Sequence, residues 1–153
     1  MSPDRPAWWR RLREAVARRL RITGEVSTPA HLRMGKRGEK IAADYLKRRG
    51  FRVLGRNFVT PAGEADIVAE SADRAVRIVV EVKTRSAGPG YAAPLVAPEA
   101  AIDTEKRTRL VQIGRHLAKT NGWRLSSVRI DVIAVELVSG RAPVLRHYED
   151  CVM

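Results

Sequence analysis

Two short runs rich in β-branched residues carry charged side chains where a buried strand normally has none. They span residues 63–68 and 78–85. Alternation along a strand places Glu81 and Lys83 on one face of the second run, and Glu64 and Asp66 on one face of the first. If the two strands pair, these carboxylates and the ammonium converge on a small area. Carboxylates this close repel one another unless a cation or a proton compensates.

The trio Asp66, Glu81 and Lys83 suits the chemistry of a divalent cation. Hard cations such as Mg²⁺ take oxygen ligands, so two carboxylates from adjacent strands can hold one ion, with the Val82 carbonyl as a further candidate ligand. A neighbouring lysine can position or help deprotonate a nucleophile. The alternative interpretation of the same three residues is a cross-strand salt bridge, and the spacing by itself leaves both open.

A helix is predicted upstream, from about Ala30 to Arg49, and Gly50 ends it. Glu39 lies inside the apolar arc of this helix instead of on its charged side. Burying an unpaired carboxylate is costly, so a glutamate at this position requires a partner or a metal ion. Pairing with an arginine or lysine at the edge of the arc is the alternative.

The remaining pattern predicts three strands, a helix and two further strands. The predicted ranges are 51–58, 64–70, 75–85, 103–121, 128–137 and 144–148. The second and third strands are close enough to form an antiparallel hairpin. The run at 78–80 is apolar throughout, which indicates a strand covered on both faces, and the last strand is expected at an edge. The sequence therefore predicts an α/β fold with a mixed sheet flanked by helices on both faces, and residues 86–99 are expected to form a loop.

The charge balance indicates the class of partner. The chain has a formal net charge of +12 and a sequence pI of about 11.0. Such an excess favours polyanions, with nucleic acid first and an anionic membrane second. Arginine forms bidentate contacts with phosphate, and it contributes much of the excess. The alternative is a merely basic soluble protein.

The first residues differ from the rest of the chain. Residues 1–22 combine tryptophan, leucine and arginine at helical spacing, which is typical of a basic amphipathic helix. Residues 23–30 contain Gly24 and Pro29 and are predicted to be a linker, which leaves residues 31–150 as the main domain. The amphipathic segment could contact DNA, a membrane surface, a partner or its own domain.

Three further features bear on location. Cys151 is the single cysteine, which excludes an intrachain disulfide and a cysteine-based zinc cluster. No segment approaches the ~20 apolar residues of a membrane span. The arginine pairs at the N-terminus lack an apolar stretch behind them, unlike a secretory signal. We therefore expect a cytoplasmic protein.

Several short motifs, taken in order, resemble those of the YraN-type family of bacterial proteins. They are the runs at 35–39, 45–46, 50–51, 56–57, 63–67, 80–85 and 129–132, with Ala42 and Lys106 between them. The resemblance covers about residues 33–138. This family is similar to archaeal Holliday-junction resolvases of the PD-(D/E)xK nuclease superfamily. The resemblance implies a restriction-endonuclease-like fold with an αβββαβ core over residues 31–150. It also implies Mg²⁺- or Mn²⁺-dependent hydrolysis of DNA, including branched DNA.

The resemblance also implies roles for individual residues. Asp66 matches the first strand aspartate, Glu81 and Lys83 match the E-x-K pair, and Glu39 matches the helical glutamate that completes the metal site. Ala65 departs from the superfamily pattern, because it stands where the superfamily usually has proline. The expected catalytic set is therefore Asp66, Glu81, Lys83 and Glu39, with Val82 as an additional metal ligand. Glu64 is left as a residue that supports the metal ligands.

Four basic residues are expected to contact the nucleic acid: Lys36, Arg56, Arg85 and Lys106. Resolvase-like enzymes act on two-fold-symmetric junctions as dimers, so a homodimer is also expected. The alternative function is a non-catalytic nucleic-acid-binding or scaffold protein that retains the nuclease fold. A third alternative is membrane or partner binding through residues 1–22.

Overall fold

The computed structural model describes residues 29–87 and 103–151 of the chain. Its elements are α1 (Ala30–Arg48), β1 (Arg52–Thr60), β2 (Gly63–Glu70), β3 (Arg77–Ala87), α2 (Thr104–Asn121), a 3₁₀ turn (Leu125–Ser127), β4 (Val128–Val138) and β5 (Val144–Tyr148). This order confirms the predicted αβββαβ core. The predicted helix in residues 1–22 lies outside the described residues, as does nearly all of the linker.

The five strands form one mixed sheet in the order β1-β2-β3-β4-β5. The first three strands are a continuous antiparallel meander, which confirms the predicted hairpin. β4 pairs parallel to β3, a geometry that requires a crossover connection, and α2 belongs to that connection. β5 is antiparallel to β4 and lies at the edge, as predicted.

Each face of the sheet is covered by one helix. On one face, α1 places Ala42, Ala43 and Leu46 against a cluster that includes Ile78 and Val80. On the other face, α2 contributes Leu110, Ile113 and Leu117 to a cluster that includes Val79. The alternation within 78–80 therefore supplies both cores, as the uninterrupted apolar run predicted. Full burial of one such aliphatic side chain contributes about 1.5–3 kcal/mol.

Local signals set the element boundaries, with one exception. Asp103 caps α2 by accepting a hydrogen bond from the Lys106 backbone N–H at 2.7 Å. Gly122 ends the helix in the left-handed region at φ 65°. The exception is the start of the predicted loop at 86–99, because Ser86 and Ala87 belong to β3. They pair with Leu137 and Val138 of β4, a long-range contact that no local pattern encodes. The rest of the predicted loop lies outside the described residues.

Gly38 is the position at which α1 meets β3 through a residue without a side chain. A Cβ at Gly38 would overlap Oγ1 of Thr84 and lie 2.8 Å from the Thr84 Cβ. We expect Gly38→Ala to lower the free energy of unfolding by about 1–3 kcal/mol, because the helix must move away from the strand. Urea denaturation followed by circular dichroism measures this change.

Gly35 in the same helix supplies the matched control. A Cβ there has nothing within 4 Å, so Gly35→Ala should stabilise the chain by up to about 1 kcal/mol through helix propensity. Equal gains in stability for both variants would show that Gly38 is not required for the contact.

Within the described ranges, no helix is long and apolar enough to cross a membrane.

Candidate functional site

The β2–β3 hairpin opens where its paired register ends, at Ile67 opposite Val80. Beyond this pair, Asp66 Oδ2 accepts a hydrogen bond from the Val82 backbone N–H at 2.7 Å. A side-chain carboxylate thus accepts the hydrogen bond from a strand N–H, in the place of a backbone carbonyl. This contact fixes Asp66 next to the Glu81–Lys83 segment, as the sequence predicted for these two strands.

Glu81 is buried between two lysines. Its Oε1 lies 3.3 Å from Lys83 Nζ and 3.0 Å from Lys106 Nζ. The Glu81 side chain is 5% exposed, whereas those of Lys83 and Lys106 are 41% and 28% exposed. Glu81 and Lys83 thus pair within β3, whereas the ion pairs of the described residues include none from Asp66 across the strands. The second lysine on the same oxygen was predicted only as a nucleic-acid contact.

The other oxygen of Glu81 has no partner. Among the residues that the structure describes, Glu81 Oε2 is buried and accepts no hydrogen bond. A buried carboxylate oxygen without a donor costs on the order of 1–3 kcal/mol or more. Such an oxygen is a potential ligand for a cation or for a protonated group, and the Glu81 carboxylate interacts electrostatically with Asp66.

Asp66 is the most perturbed acid of the site. Burial raises its pKa to about 7, and the neighbouring carboxylate of Glu81 adds to the effect. Glu39 raises the pKa further, whereas the Val82 N–H and the Lys106 ammonium oppose the rise. The three predicted acidic residues therefore interact electrostatically. Their mutual repulsion is the condition under which a cation or proton binds.

Glu39 reaches this region from α1, one residue after the close contact of Gly38 with Thr84. Its Oε2 accepts a hydrogen bond from Asn57 Nδ2 at 3.0 Å. Asn57 has a positive φ of 54°, a conformation that asparagine adopts more readily than most residues. The partner of this half-buried glutamate is thus an amide, instead of the lysine or arginine considered from the sequence.

The other predicted residues are arranged differently. Glu64 is exposed, and the structure shows no contact that would link it to the acidic cluster. Three of the basic residues predicted to contact nucleic acid are also exposed: Lys36 on α1, Arg56 on β1 and Arg85 on β3. Lys106 differs from these three because its ammonium already contacts Glu81. Its position on the core-facing side of α2 was the sequence signal for this contact.

The fit of the site to a metal ion follows from these observations. In the described part of the chain, no group of three or more His, Cys, Asp or Glu residues is arranged to hold a metal ion. Two features nevertheless suit a cation: the unpartnered oxygen of Glu81 and the repulsion that raises the pKa of Asp66. Asp66 and Glu81 are therefore the two acids that fit a hard divalent ion.

The raised pKa of Asp66 predicts a pH-dependent stability. The unfolded carboxyl has a pKa near its ordinary value of 3.8, and the folded one has a pKa of about 7. Between these values the folded chain retains a proton that the unfolded chain has released. The free energy of unfolding from this group therefore falls as pH rises from about 4 to about 7, by at most about 4 kcal/mol. Thermal unfolding in EDTA across this range measures the fall, and Asp66→Asn should flatten it. A variant with the same slope as the parent chain would contradict the assignment.

Comparison with known proteins identifies relatives of the chain. The model of the uncharacterised protein family UPF0102 matches residues 38–135. A UPF0102 protein of Renibacterium salmoninarum is 38% identical over 117 residues, covering 76% of this chain and 92% of the relative. A UPF0102 protein of Caulobacter sp. strain K31 is 41% identical over 110 residues, covering 71% of each chain. These matches confirm the family resemblance of the sequence motifs.

Two solved structures share part of the fold. One is the EndoMS–dsDNA2 complex, with a TM-score of 0.45 and 18% identity, covering 77% of this chain and 42% of that chain. The other is Hjc, a Holliday junction resolvase of Archaeoglobus fulgidus, with a TM-score of 0.37 and 23% identity, covering 73% and 75%. Likenesses at this level assign neither a substrate nor a reaction to the present chain.

Proposed function

The chain belongs to the uncharacterised family UPF0102, and we propose that it is a divalent-metal-dependent DNA nuclease. The reaction would be hydrolysis of a phosphodiester bond. One observation carries this proposal: a buried glutamate offers one oxygen to two lysines and leaves the other without a partner, while its charge helps to raise the pKa of Asp66. A buried acceptor without a donor is costly, so a cation bound there would stabilise the site.

The proposed ligands are Asp66 and Glu81, with Glu39 and the Val82 carbonyl as further candidates. A bound Mg²⁺ or Mn²⁺ supplies a water of lowered pKa and neutralises charge on the phosphate. Asp66 must lose its proton to act as a ligand, and a pKa of about 7 makes this loss accessible near neutral pH. The net charge of +12 favours the approach of a polyanion, and this attraction weakens as salt is added.

Lys83 has a separate task in this proposal. Its side chain is 41% exposed, so the ammonium can contact a phosphate oxygen or the attacking water while it stays close to Glu81. Hydrolysis joins the water oxygen to phosphorus and breaks one P–O bond, and a proton passes to the departing oxygen. Lys83 stabilises negative charge on the phosphate during this step. Lys106 is less exposed and offsets the charge of Glu81.

The proposal is tested with supercoiled, single-stranded and four-way-junction DNA in Mg²⁺, Mn²⁺ or EDTA. We expect cleavage of at least one DNA form with either metal and none in EDTA. A binding measurement that does not depend on activity accompanies it: Mn²⁺ should raise the melting temperature of the parent chain at pH 8 but not that of Asp66→Asn. Salt-sensitive binding of all three DNA forms without cleavage in either metal would contradict the proposal.

A second function, non-catalytic binding of nucleic acid, is favoured by the charge balance of the site. Lys83 and Lys106 already pair with Glu81, and the described residues include no ready-made metal cluster. A non-catalytic nucleic-acid-binding protein would have such a charge-balanced site and would bind DNA without any metal. The same Mn²⁺ melting experiment separates the two functions, because the non-catalytic protein shows no metal-dependent shift.

Dimerisation and recognition of branched DNA are further proposals, and sedimentation with a four-way junction tests both.

A further inference from the structure

An open cleft of about 430 Å³ lies at the end of the sheet where β3 and β4 finish. Its walls come from the first half of α1, from Ser86 of β3, and from the end of β4 with the following turn. Three arginines line it: Arg33, Arg37 and Arg141. Two segments that are distant in the sequence thus bring arginines to one cavity, and a third segment contributes Ser86. We refer to this cavity as the arginine cleft.

The chemistry of the arginine cleft is that of an anion site. Besides the arginines, Ser86 and Ser139 contribute hydroxyl donors. Neither aspartate nor glutamate is among the described residues that line it. Guanidinium groups donate paired N–H bonds whose spacing matches phosphate oxygens, which makes arginine suited to phosphate. The cleft therefore favours a phosphate group over a neutral or cationic ligand.

The position of the arginine cleft relates it to the acidic site. Ser86 follows Lys83 by three residues along β3, so their Cα atoms are roughly 10 Å apart. Their side chains lie on opposite faces of the sheet, because side chains alternate along a strand. Both residues are close to the end of β3, and a DNA strand that crosses this end can contact both.

We propose that the arginine cleft binds a backbone phosphate of the DNA strand whose scissile phosphate lies at Lys83. This assignment rests on the proposed function, since it takes DNA as the substrate. The cleft holds and orients the strand and does not take part in bond breaking. Its loss should therefore raise KM for DNA and leave kcat unchanged.

The test compares two double variants that remove the same charge. Arg37→Ala/Arg141→Ala alters the arginine cleft, whereas Arg48→Ala/Arg115→Ala removes two exposed arginines elsewhere on the two helices. Binding of labelled DNA is measured by fluorescence anisotropy in EDTA, over a range of salt concentrations. We expect the cleft variant to raise Kd about tenfold at low salt and to reduce the salt slope by about 0.7–0.9, the value for one phosphate contact. The control should change the slope much less. Equal losses in both variants would overturn the proposal, because they would reflect total charge alone.

A chemical scan of the DNA locates the contact. Neutral methylphosphonate groups replace the phosphates one at a time. One position other than the cleavage point should weaken binding by the parent chain and have no further effect on Arg37→Ala/Arg141→Ala. Such non-additivity identifies the pair that interacts. Additive losses at every position would overturn the proposal.

Inorganic phosphate distinguishes a free anion from the DNA backbone. If phosphate stabilises the parent chain against heat but not the cleft variant, while both bind DNA with one salt slope, the cleft binds a free anion and the backbone assignment is wrong. The proposed function can fail separately. Absence of cleavage in any metal, with DNA binding that still depends on Arg37 and Arg141, would refute the nuclease and support the cleft.

Discussion

Replacing Lys83 with alanine should abolish DNA cleavage, with a loss of about 10³-fold or more in kcat. Lys83 is the half-exposed lysine next to the buried Glu81 carboxylate, and in the proposed reaction its ammonium stabilises charge on the phosphate. Removal of a single positioned charge-stabilising or proton-transferring group typically costs 10²- to 10⁴-fold. Single-turnover cleavage of the preferred DNA form in Mn²⁺ measures the loss.

Lys119→Ala is the matched control for this prediction. Lys119 is an exposed lysine in the last turn of α2, so its removal deletes the same charge far along the helix from Lys106. We expect it to retain nearly full kcat. The melting temperature of Lys83→Ala should stay close to that of the parent chain, because Lys106 still contacts Glu81. A Lys83→Ala protein that keeps activity within about threefold would exclude Lys83 from the reaction.

The largest expected effect on stability is at Asp131, which is fully buried on β4. It accepts two hydrogen bonds from Arg129 at 2.8 and 2.9 Å, one from the Asp150 backbone N–H at 3.0 Å, and contacts His147 Nε2 at 2.9 Å. Burial alone raises the pKa of Asp131, but the bonds from His147, Arg129 and Asp150 outweigh it and hold the pKa below its usual value. This network joins β4 to β5 and to the turn that follows β5.

Asp131→Ala should lower the free energy of unfolding by about 3–5 kcal/mol, because it leaves the partly buried Arg129 without its main partner and His147 without an acceptor. Urea denaturation at pH 7 measures the change. Asp44→Ala is the matched control, since Asp44 forms helix-surface pairs with Lys40 and Lys47. The urea concentration at the midpoint of unfolding should hardly change in this variant. Similar small losses in both variants would mean that the Asp131 network is not a major source of stability.

The Asp131 network also explains a motif that the sequence singled out. Arg129 to Val132 belongs to the set of runs by which the chain resembles its family. In the structure the backbone of this run pairs in parallel with β3, and Val132 lies opposite Glu81. The Asp131 side chain of the run bonds Arg129 on its own strand and His147 on β5, so its contacts join β4 to β5.

Local patterns in the sequence were sufficient for most of the fold. Three short-range features carried this information: the alternation in β2 and β3, the glycines after α1 and α2, and the helical spacing of apolar residues. Each acts through the backbone of its own segment. They placed α1, α2, β4 and β5 to within about two residues. The error at Ser86 and Ala87 arose because their strand conformation depends on β4, about fifty residues later.

The sequence by itself determined the strongly basic charge, the order of helices and strands, and the residues Glu39, Asp66, Glu81 and Lys83 as candidates for a site. Only the tertiary structure decided how these groups contact one another. It brings Lys106 from α2 onto Glu81, gives Asp66 the Val82 N–H, and leaves one buried oxygen of Glu81 without a partner. It also assembles the arginine cleft from three distant segments. The reason is physical: backbone preferences extend over a few residues, whereas charge pairing and burial depend on which elements the packed core places side by side.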